Sequence, residues 1–308
     1  MSFPYSTDGF TEPTATMPRA MAARARLAQH VPPRQTPKQR TLLGRLSALA
    51  PGLAASWAHT ILARPPRAEE QDWQADIRKQ SRARRVTLGS RTLAVYEWGT
   101  GPTVLLVHDW GGRASQMGRM VEPLVKAGYR VVAFDAPAHG ASPGLATDFV
   151  EFASAISGLA HELGPLHCVV AHAFGAAMTL YAQRDWGLPA ARLALIGSFD
   201  HCNWFMQSFG ERTGISPDVL ERVRDRIGQR YCWRLNWSRL SMADMLRHVG
   251  RPTLLVHDED DEQVPFHHAM SLSRALPAAE VYATSGNGHD GVVCDGAVIS
   301  RIVRFAKA

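Results

Sequence analysis

The chain has 308 residues, 45% hydrophobic and 20% charged, with 34 Lys+Arg, 28 Asp+Glu and four cysteines. This composition fits a globular protein with one large core plus appendages. The charge is lopsided: residues 1–85 hold 14 basic and 6 acidic side chains, so the basic character belongs to the N-terminal part and residues 86–308 are near neutral. The body shows no basic stripe interleaved with aromatics, which argues against nucleic acid as its partner. Cys168, Cys202, Cys232 and Cys294 have neither CxxC nor zinc-ligand spacing and read as reduced thiols of a cytoplasmic protein. The most apolar stretch, 42–63, is interrupted by Arg45, Pro51, Gly52 and His59, so no membrane-spanning helix is expected. The first residues also lack the basic and apolar regions of a secretory signal.

Residues 1–40, rich in Pro, Thr, Ala and Arg and without apolar periodicity, predict a disordered basic arm in which Met17 offers an alternative start. Over 41–63 the apolar residues return at helical spacing on either side of Pro51-Gly52, which predicts two short helices. They are expected to pack against the body, with a membrane-surface role as the alternative. The polar stretch that follows, 64–85, reads as a linker or solvated helix. Val86–Leu88 and Thr92–Glu97 predict an antiparallel hairpin. Apolar runs at Thr103–Val107, Val131–Phe134, Cys168–Ala171, Leu193–Ile196 and Thr253–Val256 predict strands buried on both faces. Helical stretches at Phe149–Leu163 and Phe174–Arg184 lie between them, and a short strand at Val281–Thr284 precedes a closing helix at Val292–Phe305. The alternation predicts an α/β fold, a mostly parallel sheet with helices on both faces. In such sheets function gathers at the carboxyl ends of the strands.

Residues 199–247 interrupt the alternation and predict a helical cap over that edge, leaving 86–198 and 248–308 as the core. The cap's Trp204, Phe205, Phe209 and Trp233 are the candidates for binding an apolar, ester-like small molecule, because such pockets are lined by large rings. No internal repeat is visible. There is no dinucleotide fingerprint and no P-loop, and adjacent His267 and His268 face different directions on a helix, so no cofactor and no metal is expected. The sequence leaves the oligomeric state open.

The loops after the strands carry the chemistry. They read His108-Asp109-Trp110-Gly111-Gly112, then Asp135-Ala136-Pro137-Ala138-His139-Gly140-Ala141-Ser142, Ala171-His172-Ala173-Phe174-Gly175, His257-Asp258-Glu259-Asp260-Asp261 before Val264-Pro265, and Gly286-Asn287-Gly288-His289. With these the chain, from about Val86 to its end, resembles the α/β-hydrolase family of serine esterases and acyl hydrolases. The resemblance makes 171–175 the nucleophile elbow, where the family's G-x-S-x-G holds a serine over the sheet. Here Ala173 stands at the nucleophile position. The resemblance further implies Asp261 as the acid, His289 as the base, and the backbone N–H groups of Trp110 and Phe174 as the oxyanion hole. His139, Asp135 and Ser142 match a family turn that is mostly scaffolding.

A second departure is Asp109, where the family usually has glycine. Facing the oxyanion position, its carboxylate would oppose a developing negative charge; turned to solvent, as a turn-forming Asp commonly is, it would do nothing. Solvent is the expected direction. Two functional readings follow. One is a serine hydrolase whose nucleophile has been replaced by alanine, as in a substrate-trapping variant, and which is inactive or nearly so as written. The other is a natural pseudo-hydrolase acting as a ligand-binding or scaffold protein. His-Asp-Trp-Gly-Gly also resembles the aspartate elbow of epoxide hydrolases and haloalkane dehalogenases, with Asp109 as nucleophile, but Asp109 comes too early in the strand order for an elbow.

Overall fold

The computed structural model describes residues 42–232, 235 and 237–308. The expectations for the arm at 1–40 and for Trp233 lie outside the described residues. The chain begins with two helices, α1 (Leu42–Leu49) and α2 (Pro51–Ala63), that break at Ala50 because Pro51 takes the first helical position, where no backbone N–H is required. Residues 64–85, expected as a linker or solvated helix, contain a helix, α3 (Asp72–Lys79), and the start of β1 (Arg82–Leu88), which was not expected there. The hairpin is therefore longer than its apolar part. β1 pairs antiparallel with β2 (Arg91–Trp98) across Gly89-Ser90, where Gly89 turns the chain at φ +58°.

Next come β3 (Thr103–Val107), a 3-10 turn, α4 (Val121–Lys126), β4 (Arg130–Asp135), α5 (Phe149–Leu163), β5 (Leu166–His172), α6 (Phe174–Trp186) and β6 (Leu193–Ile196). The cap follows with α7 (Cys202–Thr213), α8 (Pro217–Arg230) and α9 (Met242–Arg247). The chain closes with β7 (Thr253–Asp258), α10 (His267–Ala275), β8 (Glu280–Thr284), a helical turn α11 (Gly288–Gly291) and α12 (Gly296–Lys307). The closing helix thus begins at Gly296, capped by the Asp295 carboxylate, rather than at Val292.

The eight strands form one sheet in the order β1-β2-β4-β3-β5-β6-β7-β8. From β4 to β8 every neighbouring pair is parallel; β2 runs antiparallel to both β1 and β4. Both faces are covered, which explains the continuous apolar strands. Leu105 and Val107 enter a layer built with α2, α5, α6 and the cap, while Val104 and Leu106 enter one built with the 3-10 turn, α4 and α12. A Leu fully buried there contributes roughly 2 kcal/mol relative to exposure.

β3 and β5 lie side by side, but the elements that follow them pack on opposite faces. That is a topological switch point, where a crevice opens beyond the strand ends. Asp109 and Ala173 follow these two strands. The cap is tied to the rim of the crevice: Tyr231 donates its hydroxyl to Asp148 at 2.7 Å, and Arg230 pairs with Asp148 at 3.0 Å and with Glu151. Among the described residues no helix is long and apolar enough to cross a membrane.

Candidate functional site

β5 ends at His172 and α6 begins at Phe174, so the whole reversal falls on Ala173, at φ +47° and ψ −111°. A residue with a Cβ holds this conformation at a cost of about 1–3 kcal/mol. The turn is fixed by Ala173 N–H donating to the Ile196 carbonyl at 2.7 Å. It is also fixed by the absence of a side chain at Gly175, where a Cβ would strike the His108 carbonyl oxygen. The small residues around the elbow are therefore explained by the approach of α6 to the end of β3. The strand-to-helix turn is sharp, and the buried methyl of Ala173 stands at its apex.

The loops after β7 and β8 are joined through carboxylates. Asp258 accepts N–H from Asp260, Asn287 and Gly288 and the hydroxyl of Thr284, which fixes the two loops against each other. Asp261 Oδ1 accepts the N–H groups of Gln263 and Val264, both at 2.8 Å. Its Oδ2 lies 2.8 Å from His289 Nδ1. Asp261 and His289, far apart in sequence, are thus brought together, and both are buried.

Asp109 does not face solvent. Its Oδ1 accepts Phe174 N–H at 2.8 Å, and its Oδ2 lies 3.4 Å from His289 Nε2. The expectation that its side chain points outward is overturned because a backbone donor and an imidazole lie within its reach on the inner side. Phe174 N–H, one of the two expected oxyanion donors, already serves a carboxylate. His289 lies between two carboxylates, one on each ring nitrogen.

Burial disfavours a charged His289, yet hydrogen bonds to Asp109 and Asp261 overcome it and raise its pKa to about 10. Burial likewise pushes both carboxyls up, and the bonds to His289 reverse this, leaving Asp109 and Asp261 below the usual carboxylate range. The site is therefore an imidazolium between two carboxylates at neutral pH. Its histidine carries no free lone pair.

Other histidines hold the loops. His108 Nε2 accepts Ala136 N–H at 3.0 Å, so Nδ1 carries the proton it directs at the Asp109 carbonyl. His139 Nε2 accepts Gly111 N–H, also at 3.0 Å, and Nδ1 faces the Pro137 carbonyl. His172 Nε2 donates to the His289 carbonyl. Burial lowers His108 and His172 to about 4 and His139 to about 3, so all three are neutral. Asp135 accepts Ala114 N–H, Ala141 N–H and the Tyr96 hydroxyl, and Ser142 Oγ donates to the Asp135 carbonyl while accepting Ala94 N–H. These bonds define the first and second loops. His268 pairs with Asp200 at 2.8 Å, and among the described residues no cluster of three metal-ligating side chains occurs.

The cap rings crowd the crevice. Phe205 lies against Trp110, Phe149, Phe174 and Phe199. Trp204 meets Phe199 at a tilt and His268 edge-on, and Phe209 is buried in the core. The cavity beside Trp110, closed by His59 and Leu62 of α2, Thr147, Phe205 and Ile227, measures about 10 Å³. One water needs about that much. The part of α2 in this wall had no signal in the sequence, and the inward turn of Asp109 had only the His-Asp pair itself.

Comparison with known proteins agrees with this architecture. Residues 104–300 match the model of the alpha/beta hydrolase family. A non-heme haloperoxidase of Rhodococcus erythropolis is 25% identical over 239 residues, which is 62% of this chain and 86% of that protein. The magnesium-chelatase 30 kDa subunit of Rhodobacter capsulatus is 24% identical over 236 residues, 61% of this chain and 81% of that one. Among solved structures, an esterase from Pyrococcus furiosus superposes with a TM-score of 0.61 at 17% identity, covering 79% of this chain and 98% of that one. A bromoperoxidase from Bacillus anthracis gives 0.57 at 18% identity, covering 74% and 100%. At such identities the structural likeness speaks for the fold alone.

Proposed function

The chain belongs to the alpha/beta hydrolase family, and from that premise we propose that it is a non-catalytic member, a binding or scaffold protein in which the hydrolase site has become a structural ion cluster. The observation that carries this reading is the Asp109 carboxylate, which takes the Phe174 N–H and the far side of His289 together. Three requirements of acyl transfer are then unmet. Ala173 supplies no attacking oxygen, the oxyanion donor is engaged by a negative charge, and His289 is protonated and has no basicity to lend at neutral pH.

A second reading has one observation in its favour. The strained Ala173 backbone beside an intact Asp261–His289 pair suits a serine hydrolase in which the nucleophile alone has been exchanged. The two readings differ on a single substitution. Under our proposal Ala173→Ser stays unlabelled by a fluorophosphonate probe and inert toward short nitrophenyl esters. The double variant Ala173→Ser/Asp109→Gly frees the oxyanion donor and gains at least about 100-fold in kcat/KM over the single one, the usual worth of one such donor. Labelling and turnover by Ala173→Ser alone would overturn the proposal. The attacking-carboxylate alternative places Asp109 beside a histidine, but Asp109 follows β3, whereas the sharp strand-to-helix turn follows β5, and one of its oxygens is taken by Phe174 N–H.

A further inference from the structure

α2 has two working sides. Ala54, Ala55, Ala58 and Leu62 are buried, and the helix packs on α8 of the cap. Leu53, Trp57 and Ile61 follow one another at i, i+4 and i+8, which places them in one stripe along the helix, and all three are exposed, Leu53 by 66%. The stripe is extended toward α1 by Leu49, 85% exposed. At the other end Thr147 N–H donates to the Ala63 carbonyl, which brings in Leu145, 77% exposed, two residues earlier. Isolated exposed apolar residues are ordinary, but three in one helical stripe, with two more adjoining its ends, mark a contact surface.

Charge selects the occupant. From residue 13 to residue 68 the chain has nine Lys and Arg and not one Asp or Glu. Of these, Arg45 and Arg64 are exposed on and just after the two helices, and Arg67 donates to the Gly144 carbonyl beside Leu145. A second copy of the same face would bring like charges together. A surface of anionic headgroups over acyl chains matches both properties, and tryptophan beside aliphatic residues suits such a boundary.

We propose that α1 and α2 dock the protein on the surface of an anionic lipid bilayer, with Leu49, Leu53, Trp57, Ile61 and Leu145 entering the headgroup–acyl boundary and the flanking arginines meeting lipid phosphates. This surface is independent of the Ala173 site, so the two proposals stand or fall separately.

The test is co-sedimentation of the full chain with large vesicles of phosphatidylcholine alone and of phosphatidylcholine containing one quarter phosphatidylglycerol. Binding is expected to the second only, and to weaken as salt is raised. Leu53→Gln/Ile61→Gln, at exposed positions and with an unchanged thermal midpoint, is expected to bind the anionic vesicles at least tenfold more weakly. Brominated acyl chains are expected to quench part of the tryptophan fluorescence, and Trp57→Phe to remove that part. The proposal is overturned if the chain stays in the supernatant with anionic vesicles, or if the double variant binds like the wild type, which would leave only non-specific attraction to the basic segment. It is overturned equally if the face instead forms a dimer that the double variant dissociates while vesicles have no effect.

Discussion

Along the carboxyl edge of the sheet, the loops after β7 and β8 and those after β3 and β5 use carboxylates and backbone donors to different ends. After β7 and β8, Asp261 orients His289 and Asp258 locks the two loops, an arrangement suited to general-base work. After β3 and β5, a strained turn surrounds a methyl, and Asp109 accepts Phe174 N–H while facing His289 Nε2. The first pair remains fit for catalysis until the second is considered. Adding one carboxylate on the far side of an imidazole changes it from a base into a counterion, so a catalytic dyad is defined by what its other nitrogen faces.

The comparison breaks most sharply at Asp261. Asp261→Ala removes the acceptor of two backbone N–H groups and one partner of a buried imidazolium, and is expected to cost about 3–5 kcal/mol, measured by urea unfolding near neutral pH. A cost below about 1 kcal/mol would mean that the β7–β8 half does not depend on this carboxylate.

Protonation sharpens it next. The pKa of His289 in the folded chain, about 10, lies above the unfolded value of 6.5, so its contribution is full below pH 6.5 and is lost as pH rises toward 10. Over that window stability is expected to fall with a slope of up to about 1.4 kcal/mol per pH unit from this group. His108 and His172, lowered to about 4, and His139, lowered to about 3, act oppositely: their contribution is present above pH 6.5 and is lost as pH falls through those values. His289→Gln should flatten the alkaline limb and leave the acid limb in place. An unchanged alkaline limb would refute the bridging imidazolium.

The smallest effect is expected at Asp109 itself, whose side chain is 22% exposed. Asp109→Asn keeps an acceptor for Phe174 N–H but removes a charge from His289. The expected cost is about 1–3 kcal/mol, and the His289 titration, followed by NMR, should move below 10 while Asp261 still holds it above 6.5. No movement would show that the carboxylate at 3.4 Å is electrostatically idle.

Much of this was legible along the chain. The buried strands declared themselves because both faces of a parallel sheet are covered, so Thr103–Val107 and Leu193–Ile196 lack polar interruptions. The apolar pattern shows β1 only from Val86, because its first residues, Arg82, Ala83, Arg84 and Arg85, sit at an edge where one side of the strand is paired and the other is not. The helix over Asp72–Lys79 is one of the two alternatives the polar stretch offers, and the sequence does not separate it from a linker because it buries little.

By itself, the sequence determined the order of strands and loops along the chain, the helical insertion between β6 and β7, and the alanine after β5, because each is a matter of residue type and spacing. Only the tertiary structure decided where Asp109 points, which side of His289 it meets, and which face of α2 stays outside. Those outcomes depend on competition between neighbours distant in sequence. A buried donor at Phe174 and an imidazole from the last strand's loop outbid water for one carboxylate, while the alanines of α2 gave that helix one side for the cap and left the other exposed.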